Sequence, residues 1–275
     1  MFTLNCKGRL VVIDQPIVMG IVNVTPDSFY SGSRAGTVDD ILFRADKMIH
    51  DGATILDIGG QSTRPGSDPV SADEELRRVL PAIEALHKTF PEQLISCDTF
   101  YASVAKASVV AGASIINDVS AGSMDEDLLR TAVSLNVPYV LTHMHGKPQT
   151  MQQNPSYKNV TLEVFDFLHY KMMELIHLGM NSIIVDPGFG FGKTVAHNFQ
   201  LLRELSFFQE LDKPVLVGLS RKATICKTLN ITATEALNGT TVMNTLALLN
   251  GANILRVHDV KEAVQAIKLF MEYKK

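Results

Sequence analysis

Short apolar runs recur at regular intervals along the chain, and each is followed by a longer segment with the apolar spacing of a helix. The eight runs lie at residues 17–24, 54–60, 94–98, 114–118, 138–143, 182–186, 214–220 and 253–259. They are continuously apolar instead of alternating, which is typical of strands covered on both faces in a parallel sheet. Two further runs within residues 2–14, separated by Lys7 and Gly8, predict a β-hairpin before the first repeat.

Eight strand–helix units in 275 residues fit a closed (β/α)₈ barrel, the TIM barrel, with the N-terminal hairpin covering its bottom. The competing architecture is an open doubly wound sheet, which requires a reversal of the crossovers that the pattern does not contain. No linker or change in composition divides the chain, so we expect a single domain over residues 1–275. Thr37 is predicted to cap the first helix, and Ser71 with Glu74 predicts a capping box for the second.

Composition and charge narrow the range of partners. The net charge is −4 and no basic run occurs, so nucleic acid is not expected as a partner. No apolar stretch is long enough to cross a bilayer, so no membrane partner is expected either. The first residues lack a basic leader and an apolar core, and the three cysteines, Cys6, Cys97 and Cys226, have no CxxC spacing. These features predict reduced thiols in a cytoplasmic protein.

Polar side chains stand at the C-terminal end of every predicted strand. They are Asn23, then Thr63 and Arg64 after the second strand, Asp98, Asn117, His143, Asp186, Ser220 with Lys222, and Arg256 with His258. Solvated strand ends are the plainer interpretation, but Asp98, Asn117 and Asp186 directly follow apolar residues and should be partly buried. In a (β/α)₈ barrel all these ends meet at one mouth. Carboxylates and cations together indicate a ligand with a donor-rich face and an anionic tail.

Two other motifs carry weaker signals. The sequence GFGFGKT at 188–194 imitates a phosphate-binding loop, but the pattern G-x-x-x-x-G-K-[ST] requires glycine where Pro187 stands. His143 and His145 form an H-x-H at a strand end, without the further strand-end histidines that would complete a metal site. Asp186 at the end of its apolar run is compatible with a turn aspartate or with a ligand-binding acid.

Five motifs in order resemble the dihydropteroate synthase family over essentially the whole chain. They are GIVNVTPDSF (20–29), DIGGQSTRPG (57–66), DPGFGFGK (186–193), GLSRK (218–222) and RVHDV (256–260). The resemblance implies a transferase of folate biosynthesis that condenses 6-hydroxymethyl-7,8-dihydropterin diphosphate with 4-aminobenzoate, releases diphosphate and uses Mg²⁺. It also implies a homodimer through the last two long helices, although purely internal packing of Met243, Leu246, Leu249, Ile267 and Phe270 is an open alternative.

The resemblance also implies a set of binding residues. Pterin-binding residues are Thr63, Asp98, Asn117, Met144, Asp186, Phe191, Lys222 and Arg256. Diphosphate-binding residues are Asn23, Arg64, Arg256 and His258, with Asn23 also the metal ligand. Aminobenzoate-binding residues are Thr63, Arg64, Pro65, Phe191, Ser220 and Lys222. Ala223, which follows GLSRK, departs from the hydroxyl residue that many members carry there, and this weakens any inference about the aminobenzoate carboxylate.

The chemistry expected at this site needs no strong protein base. Asp186 would accept the paired N–H donors of the pterin, and Arg256 would stack on the ring face. Arg64, Lys222, Arg256 and His258 are the expected catalytic residues. Arg64, Arg256 and His258 would hold the diphosphate as it departs in a dissociative displacement, and Lys222 would donate to an acceptor of the pterin. We expect His143 to pack beneath the pterin. A methyltetrahydrofolate–corrinoid methyltransferase and a non-catalytic pterin-binding relative are the alternatives.

Overall fold

The computed structural model describes residues 1–24, 34–61, 70–146 and 149–275 of the chain. Within these residues the strands are β1 (Phe2–Cys6), β2 (Arg9–Ile13), β3 (Ile17–Asn23), β4 (Ile55–Gly59), β5 (Leu94–Asp98), β6 (Ile115–Asp118), β7 (Tyr139–Thr142), β8 (Ile183–Asp186), β9 (Leu216–Val217) and β10 (Ile254–Val257). The helices are α1 (Arg34–His50), α2 (Ala72–Thr89), α3 (Ala102–Ala111), α4 (Leu128–Leu135), α5 (Val160–His177), α6 (Val195–Arg203), α7 (Ala223–Leu229), α8 (Leu237–Leu249) and α9 (Val260–Tyr273).

Strands β3 to β10 form one parallel sheet in the order β8-β7-β6-β5-β4-β3-β10-β9. The two outermost strands of this order also meet. Val185 of β8 forms a parallel bridge with Val215, which lies just before β9, and the Val185 amide donates to the Pro214 carbonyl at 2.9 Å. The sheet therefore closes on itself, and the prediction of a (β/α)₈ barrel is confirmed.

Side chains inside the barrel change from apolar to polar between its bottom and its mouth. The lowest layer is Met19, Ile55, Leu94, Ile115, Val140, Ile184, Leu216 and Ile254. Leu4, Cys6 and Ile13 of the β1–β2 hairpin pack against this layer, so the hairpin covers the bottom as predicted. Because side chains alternate along a strand, residues two positions further on also face the interior. These include Asp57, Ser96, Asn117, Asp186 and Arg256, which begin the polar part of the barrel.

Of the two helix caps predicted from the sequence, the structure retains Ser71 and not Thr37. Helix α1 begins at Arg34, so the prediction that Thr37 caps it is wrong; a capping residue permits a helix to begin but does not require it. Ser71 does cap α2, and its side chain accepts from the Glu74 amide at 3.3 Å. Helix α4 begins at Leu128, ten residues after β6 ends at Asp118. The Asp118 carboxylate accepts from the amides of Ser120 and Gly122, both at 2.7 Å, and holds that segment in a turn.

The part of the chain that the structure describes contains no helix with both the length and the apolar character that a bilayer crossing requires. All three cysteines are unpaired, and Cys6 and Cys97 are buried. Cys6 belongs to the apolar layer at the bottom of the barrel, where burial raises the pKa of its thiol to about 11. The cysteines therefore act as small apolar side chains, and the cytoplasmic location stays a prediction.

Candidate active site

The barrel mouth gathers the acids and amides that the sequence places at strand ends. Asp98, Asn117 and Asp186 are 8%, 3% and 7% exposed, in agreement with their expected burial. The charges of Arg256 and Lys222 both act on the carboxyl groups of Asp98 and Asp186. These five side chains therefore share one site, although they come from five different strand–helix units.

The Arg256 guanidinium lies between two buried carboxylates. Its Nε donates to Oδ2 of Asp57 at 2.6 Å, and its Nη2 donates to Oδ2 of Asp98 at 2.7 Å. The amide of Asn117 donates from Nδ2 to the same Asp57 oxygen at 3.0 Å. A buried carboxylate is unfavourable unless it is paired and hydrogen-bonded, and Asp57 meets this condition through Arg256 and Asn117. Asp57 thereby fixes the orientation of both side chains.

Asp57 is a site residue that the sequence-based prediction missed. It lies in the middle of β4, two residues before the strand end, and it is fully buried. Its second oxygen, Oδ1, has no hydrogen-bond partner among the described residues. The available signal was the acid itself, because a charged residue inside an otherwise apolar strand requires a partner across the barrel.

Burial sets the acid–base properties of the carboxyl groups. It raises the pKa of Asp98 to about 7, against the opposing effect of Arg256, while Asp57 and Asp118 raise it further. Burial also raises the pKa of Asp186, and Lys222 opposes this shift. A ligand that donates an N–H group to the Asp98 carboxyl favours its ionised form, so binding such a ligand near pH 7 would release protons.

The loop between β8 and α6 holds Asp186 and Lys222 together. Asp186 Oδ1 accepts from the Gly188 amide at 2.7 Å, and Lys222 Nζ donates to the Phe189 carbonyl. The same ammonium lies 4.4 Å from the centroid of the Phe191 ring. Burial lowers the pKa of Lys222 to about 8, and the charge of Asp186 opposes this effect. The predicted pterin residues Asp186, Phe191 and Lys222 therefore occupy one corner of the mouth.

Ser220 and His258 contact each other at the ends of β9 and β10. The Ser220 hydroxyl lies 3.0 Å from Nδ1 of His258, and it also accepts from the His258 amide at 3.2 Å. Ser220 is 5% exposed, so its hydroxyl is committed to this contact and is not presented as a nucleophile. Beside it, Arg221 binds Asp259 through two hydrogen bonds of 2.6 and 2.9 Å, which joins the same two strand ends.

Asn23 lies at the end of β3, next to the space above Gly59. A Cβ atom at position 59 would lie 3.8 Å from Oδ1 of Asn23 and 3.6 Å from Oδ2 of Asp98. The glycine thus leaves a small volume bordered by two side-chain oxygens. The described residues contain no group of three or more His, Cys, Asp or Glu that could hold a metal ion. A cation at this mouth would therefore have few protein ligands.

The remaining predicted residues either lie outside the described part of the chain or directly follow β7. Thr63, Arg64 and Pro65 lie outside the described residues. Met144 is half-buried on the segment after β7. His143 is buried, but its ring packs edge-on against Phe167 of helix α5, with the ring centroids 4.9 Å apart. This position differs from the expected one beneath the pterin, because the ring lies on the side of the strand that faces the helices.

Comparisons with known proteins agree with this geometry. The profile of the family described as "Pterin binding enzyme" matches residues 19–258. The dihydropteroate synthase of Escherichia coli strain K12 is 42% identical over 268 residues, which cover 97% of this chain and 94% of that protein. The structure of Yersinia pestis dihydropteroate synthase with a sulfonamide drug complex superposes with a TM-score of 0.93 at 40% identity, covering 99% of each chain.

A second solved structure is that of the Xanthomonas albilineans dihydropteroate synthase in complex with 7,8-dihydropteroate. It superposes with a TM-score of 0.89 at 39% identity and covers 99% of this chain and 98% of that one. Both superpositions therefore extend over nearly the whole chain. The chain therefore belongs to the pterin binding enzyme family and, within it, to the dihydropteroate synthases.

Proposed function

We propose that the chain condenses 6-hydroxymethyl-7,8-dihydropterin diphosphate with 4-aminobenzoate to give 7,8-dihydropteroate and diphosphate, in folate biosynthesis. The observation that carries the proposal is the buried guanidinium of Arg256 between Asp57 and Asp98, with Asn117 fixed beside it. This arrangement offers oriented acceptors and one cation to a flat, donor-rich heterocycle. The Xanthomonas albilineans relative that binds 7,8-dihydropteroate supports the same product here.

The pterin is oriented by Asn117 and Asp186, each of which uses one side-chain atom for a hydrogen bond within the protein and has an oxygen left for the ligand. Asn117 donates from Nδ2 to Asp57, which leaves its carbonyl oxygen to accept from the ligand. Asp186 uses Oδ1 for the Gly188 amide, which leaves Oδ2 for the pterin amino group. Lys222 supplies a donor to a ring acceptor. Hydrogen bonds to charged groups contribute roughly 1.5–3 kcal/mol each, so those to Asp186 and Lys222, together with the one to Asn117, are enough to select one orientation.

Arg256 has two roles in the proposal. Asp57 and Asp98 hold the edge of its guanidinium through Nε and Nη2, which leaves the planar face and Nη1 for the substrate. The face stacks on the pterin ring by a cation–π contact, and the remaining N–H groups lie toward the diphosphate. Asn23, Arg64 and His258 complete the proposed phosphate contacts, with Thr63, Arg64, Pro65, Phe191, Ser220 and Lys222 bordering the aminobenzoate.

The residues at the mouth fit a Mg²⁺ ion that is bound mainly by water and substrate phosphate and has few protein ligands. Mg²⁺ keeps several waters and binds substrate phosphates together with one or two protein oxygens, and Oδ1 of Asn23 beside the space at Gly59 provides such an oxygen. The ion, when bound, neutralises charge on the diphosphate as it leaves. Asn23 would hold it, since the described residues contain no larger set of metal-binding side chains.

The reaction is proposed to be dissociative. The bond between the pterin methylene and the diphosphate oxygen breaks first, and the positive charge spreads over the pterin ring while the electron pair leaves with the diphosphate. Arg64, Arg256 and His258 stabilise the charge that develops on the leaving group, while Lys222 holds the pterin. The aniline nitrogen of 4-aminobenzoate then attacks the methylene and loses its proton to solvent or to the released diphosphate. The protein orients the two substrates and excludes water from them, and it need not supply a strong base.

The proposal is tested with purified protein, the pterin diphosphate, 4-aminobenzoate and Mg²⁺. We expect diphosphate release that requires both substrates. Without 4-aminobenzoate, we expect ¹⁸O placed in the bridging position of the substrate to exchange into non-bridging positions, because cleavage precedes attack. An Arg64→Ala variant should lose turnover by about 100-fold if Arg64 stabilises the leaving group. Exchange that occurs only with 4-aminobenzoate present would contradict the dissociative order.

Two results would favour the alternative functions. Methyl transfer from methyltetrahydrofolate to a corrinoid would indicate the methyltransferase, whose substrate carries no diphosphate. A folded protein that binds the pterin diphosphate but releases no diphosphate with both substrates and Mg²⁺ would indicate a non-catalytic relative. The 42% identity to a dihydropteroate synthase over 97% of the chain favours the synthase over both.

We further propose a homodimer through helix α8. Met243, Ile267 and Phe270 are buried in the core, so the internal-packing alternative holds for these three. Leu246 and Leu249 remain 39% and 51% exposed, and they share a helix face with the half-exposed Val242. Sedimentation analysis should give a dimer for the wild type and a monomer for Leu246→Glu/Leu249→Glu. Leu269→Glu on α9, at a position 73% exposed, is the control that leaves the dimer intact.

A further inference from the structure

A buried lysine lies at the end of the loop between β8 and α6. Lys193 is 3% exposed, and its Nζ lies within hydrogen-bond distance of four groups: Nδ1 of His143 at 2.8 Å, the Gly188 carbonyl at 2.9 Å, the Phe191 carbonyl at 3.1 Å and the His143 carbonyl at 3.4 Å. Among the described residues, none forms an ion pair with it. A polar group at this depth is unfavourable unless it is hydrogen-bonded, so these contacts fix the position of the Lys193 side chain.

The three nearest partners use the full hydrogen-bonding capacity of Nζ. An ammonium can donate to all three, and a neutral amine can donate to the two loop carbonyls and accept from a protonated Nδ1 of His143. Burial lowers the pKa of Lys193, and the negative charge of Asp186 opposes that shift. Burial also lowers the pKa of His143 to about 2, so its ring is neutral, and its Nδ1 forms one hydrogen bond with Nζ of Lys193.

Lys193 binds the carbonyls of Gly188 and Phe191, and the residues that contact Lys222 lie within this short segment. Between Gly188 and Phe191, the Phe189 carbonyl accepts from Lys222, and the Phe191 ring lies under the Lys222 ammonium. At the start of this stretch, the Gly188 amide donates to Asp186. A change in the conformation of residues 188–191 would therefore move a donor of Asp186 and both contacts of Lys222 together.

We propose that Lys193, held by His143, is a positioning residue that sets the conformation of residues 188–191 and thereby orients Asp186 and Lys222 for the pterin. The inference rests on the proposed function, because pterin affinity is the property that reports the loop conformation. It joins two motifs that have no other role in the site: the lysine of GFGFGK and the first histidine of the H-x-H. Lys193 acts through Asp186 and Lys222 and does not itself contact the pterin.

The test compares variants that keep or remove single hydrogen bonds. Lys193→Met keeps most of the side-chain volume and removes all three donors. His143→Asn keeps an acceptor near the place of Nδ1, whereas His143→Leu has a similar shape and removes it. We expect Lys193→Met and His143→Leu to weaken binding of pterin diphosphate, measured by calorimetry, by about tenfold. His143→Asn should remain within about threefold of the wild type, and KM for 4-aminobenzoate should change less than pterin affinity.

A double-mutant cycle separates this role from general destabilisation. If Lys193 and His143 act as one unit, the double variant Lys193→Met/His143→Leu should bind the pterin no more weakly than Lys193→Met alone. Thermal unfolding establishes that each variant is folded. A folded Lys193→Met with pterin affinity within twofold of the wild type overturns the inference. If Lys193→Met does not fold, equal affinities of His143→Asn and His143→Leu overturn it. A wild-type protein that does not bind the pterin contradicts the proposed function instead.

Discussion

Arg256 Nε donates to Oδ2 of Asp57 at 2.6 Å, across 199 residues of sequence and the interior of the barrel. Asp57 is fully buried, whereas the Arg256 side chain is 20% exposed at the mouth. The acid is therefore the fixed partner, and it determines where the guanidinium meets a ligand. The pair links the polar interior of the barrel to the surface on which the substrates bind.

Replacing Asp57 tests this link. Oδ2 of Asp57 accepts from both Arg256 and Asn117, while Oδ1 has no partner among the described residues. Asp57→Asn retains an oxygen for both donors, whereas Asp57→Ala leaves them unsatisfied. We expect kcat/KM to fall about 100-fold or more in Asp57→Ala and about tenfold in Asp57→Asn, with a loss of unfolding free energy of roughly 3 kcal/mol in the alanine variant only. Steady-state kinetics and urea unfolding measure both; equal effects of the two variants would contradict the assignment.

Asp186 is expected to contribute mainly to pterin binding. Calorimetry on Asp186→Ala should show pterin diphosphate binding weakened by roughly 10- to 100-fold, the value for a charge-assisted hydrogen bond. Asp186→Asn should lose less, because its oxygen can still accept from one donor. Unchanged affinity in a folded Asp186→Ala protein would remove this acid from the pterin site.

The pH dependence of pterin binding should report Lys222. Burial lowers the pKa of Lys222 to about 8, so its ammonium loses its proton as the pH rises through that value. If the ammonium donates to the pterin, affinity falls above about pH 8. Lys222→Arg keeps the charge over this range and should bind with a flatter profile. Calorimetry from pH 6.5 to 9.5 on both proteins provides the comparison, and parallel profiles would exclude Lys222 as the titrating group.

Two glycines of the β8–α6 loop should respond differently to alanine. Gly188 has φ +72°, and a Cβ there would lie 1.8 Å from the His143 carbonyl, so Gly188→Ala should destabilise the fold by several kcal/mol. Gly190 has φ +82°, but its Cβ would meet Lys222 Cδ at 3.2 Å, and a flexible side chain can move. Gly190→Ala should cost about 1 kcal/mol and weaken pterin binding instead. Denaturant unfolding with calorimetry separates the two effects, and equal loss of stability would contradict the contrast.

Glu75 of helix α2 should make stability depend on pH. It is fully buried behind the mouth, where it accepts from Thr99 at 2.9 Å and from Gln61 at 3.2 Å, with Asp98 and Arg78 as the nearby charges. Burial raises its pKa to about 7. The folded state therefore binds a proton more tightly than the unfolded state, and its contribution is present below about pH 4.5 and lost as the pH rises to about 7.

Glu75→Gln removes this titration. Relative to the wild type, the variant should gain roughly 2–3 kcal/mol of unfolding free energy between pH 4.5 and 7 and no more above that. Urea unfolding at several pH values measures the difference. Glu84→Gln, at an exposed position of the same helix, controls for the loss of one carboxylate. A stability difference that does not change with pH would show that Glu75 does not titrate in this range.

Individual residues show which site features a sequence reveals. Asp98, Asn117 and Asp186 could be identified because each follows an apolar run at or one residue before a strand end, and the strand ends of a parallel barrel meet at one mouth. Asp57 was missed because it lies inside its strand, where only the inward direction of the side chain gives it a role. His143 also ends a strand, yet its ring faces helix α5 and Lys193, because the alternation of side chains places it outside the barrel.

The sequence by itself determined the eight strand–helix repeats, the closed barrel with its N-terminal hairpin, and the set of polar strand ends. These follow from local periodicity, since each strand or helix must bury its own apolar positions. Only the tertiary structure decided that Arg256 pairs with Asp57 and that Lys193 meets His143. Those contacts join residues 199 and 50 positions apart, and they depend on strand register and side-chain direction, which no local pattern specifies.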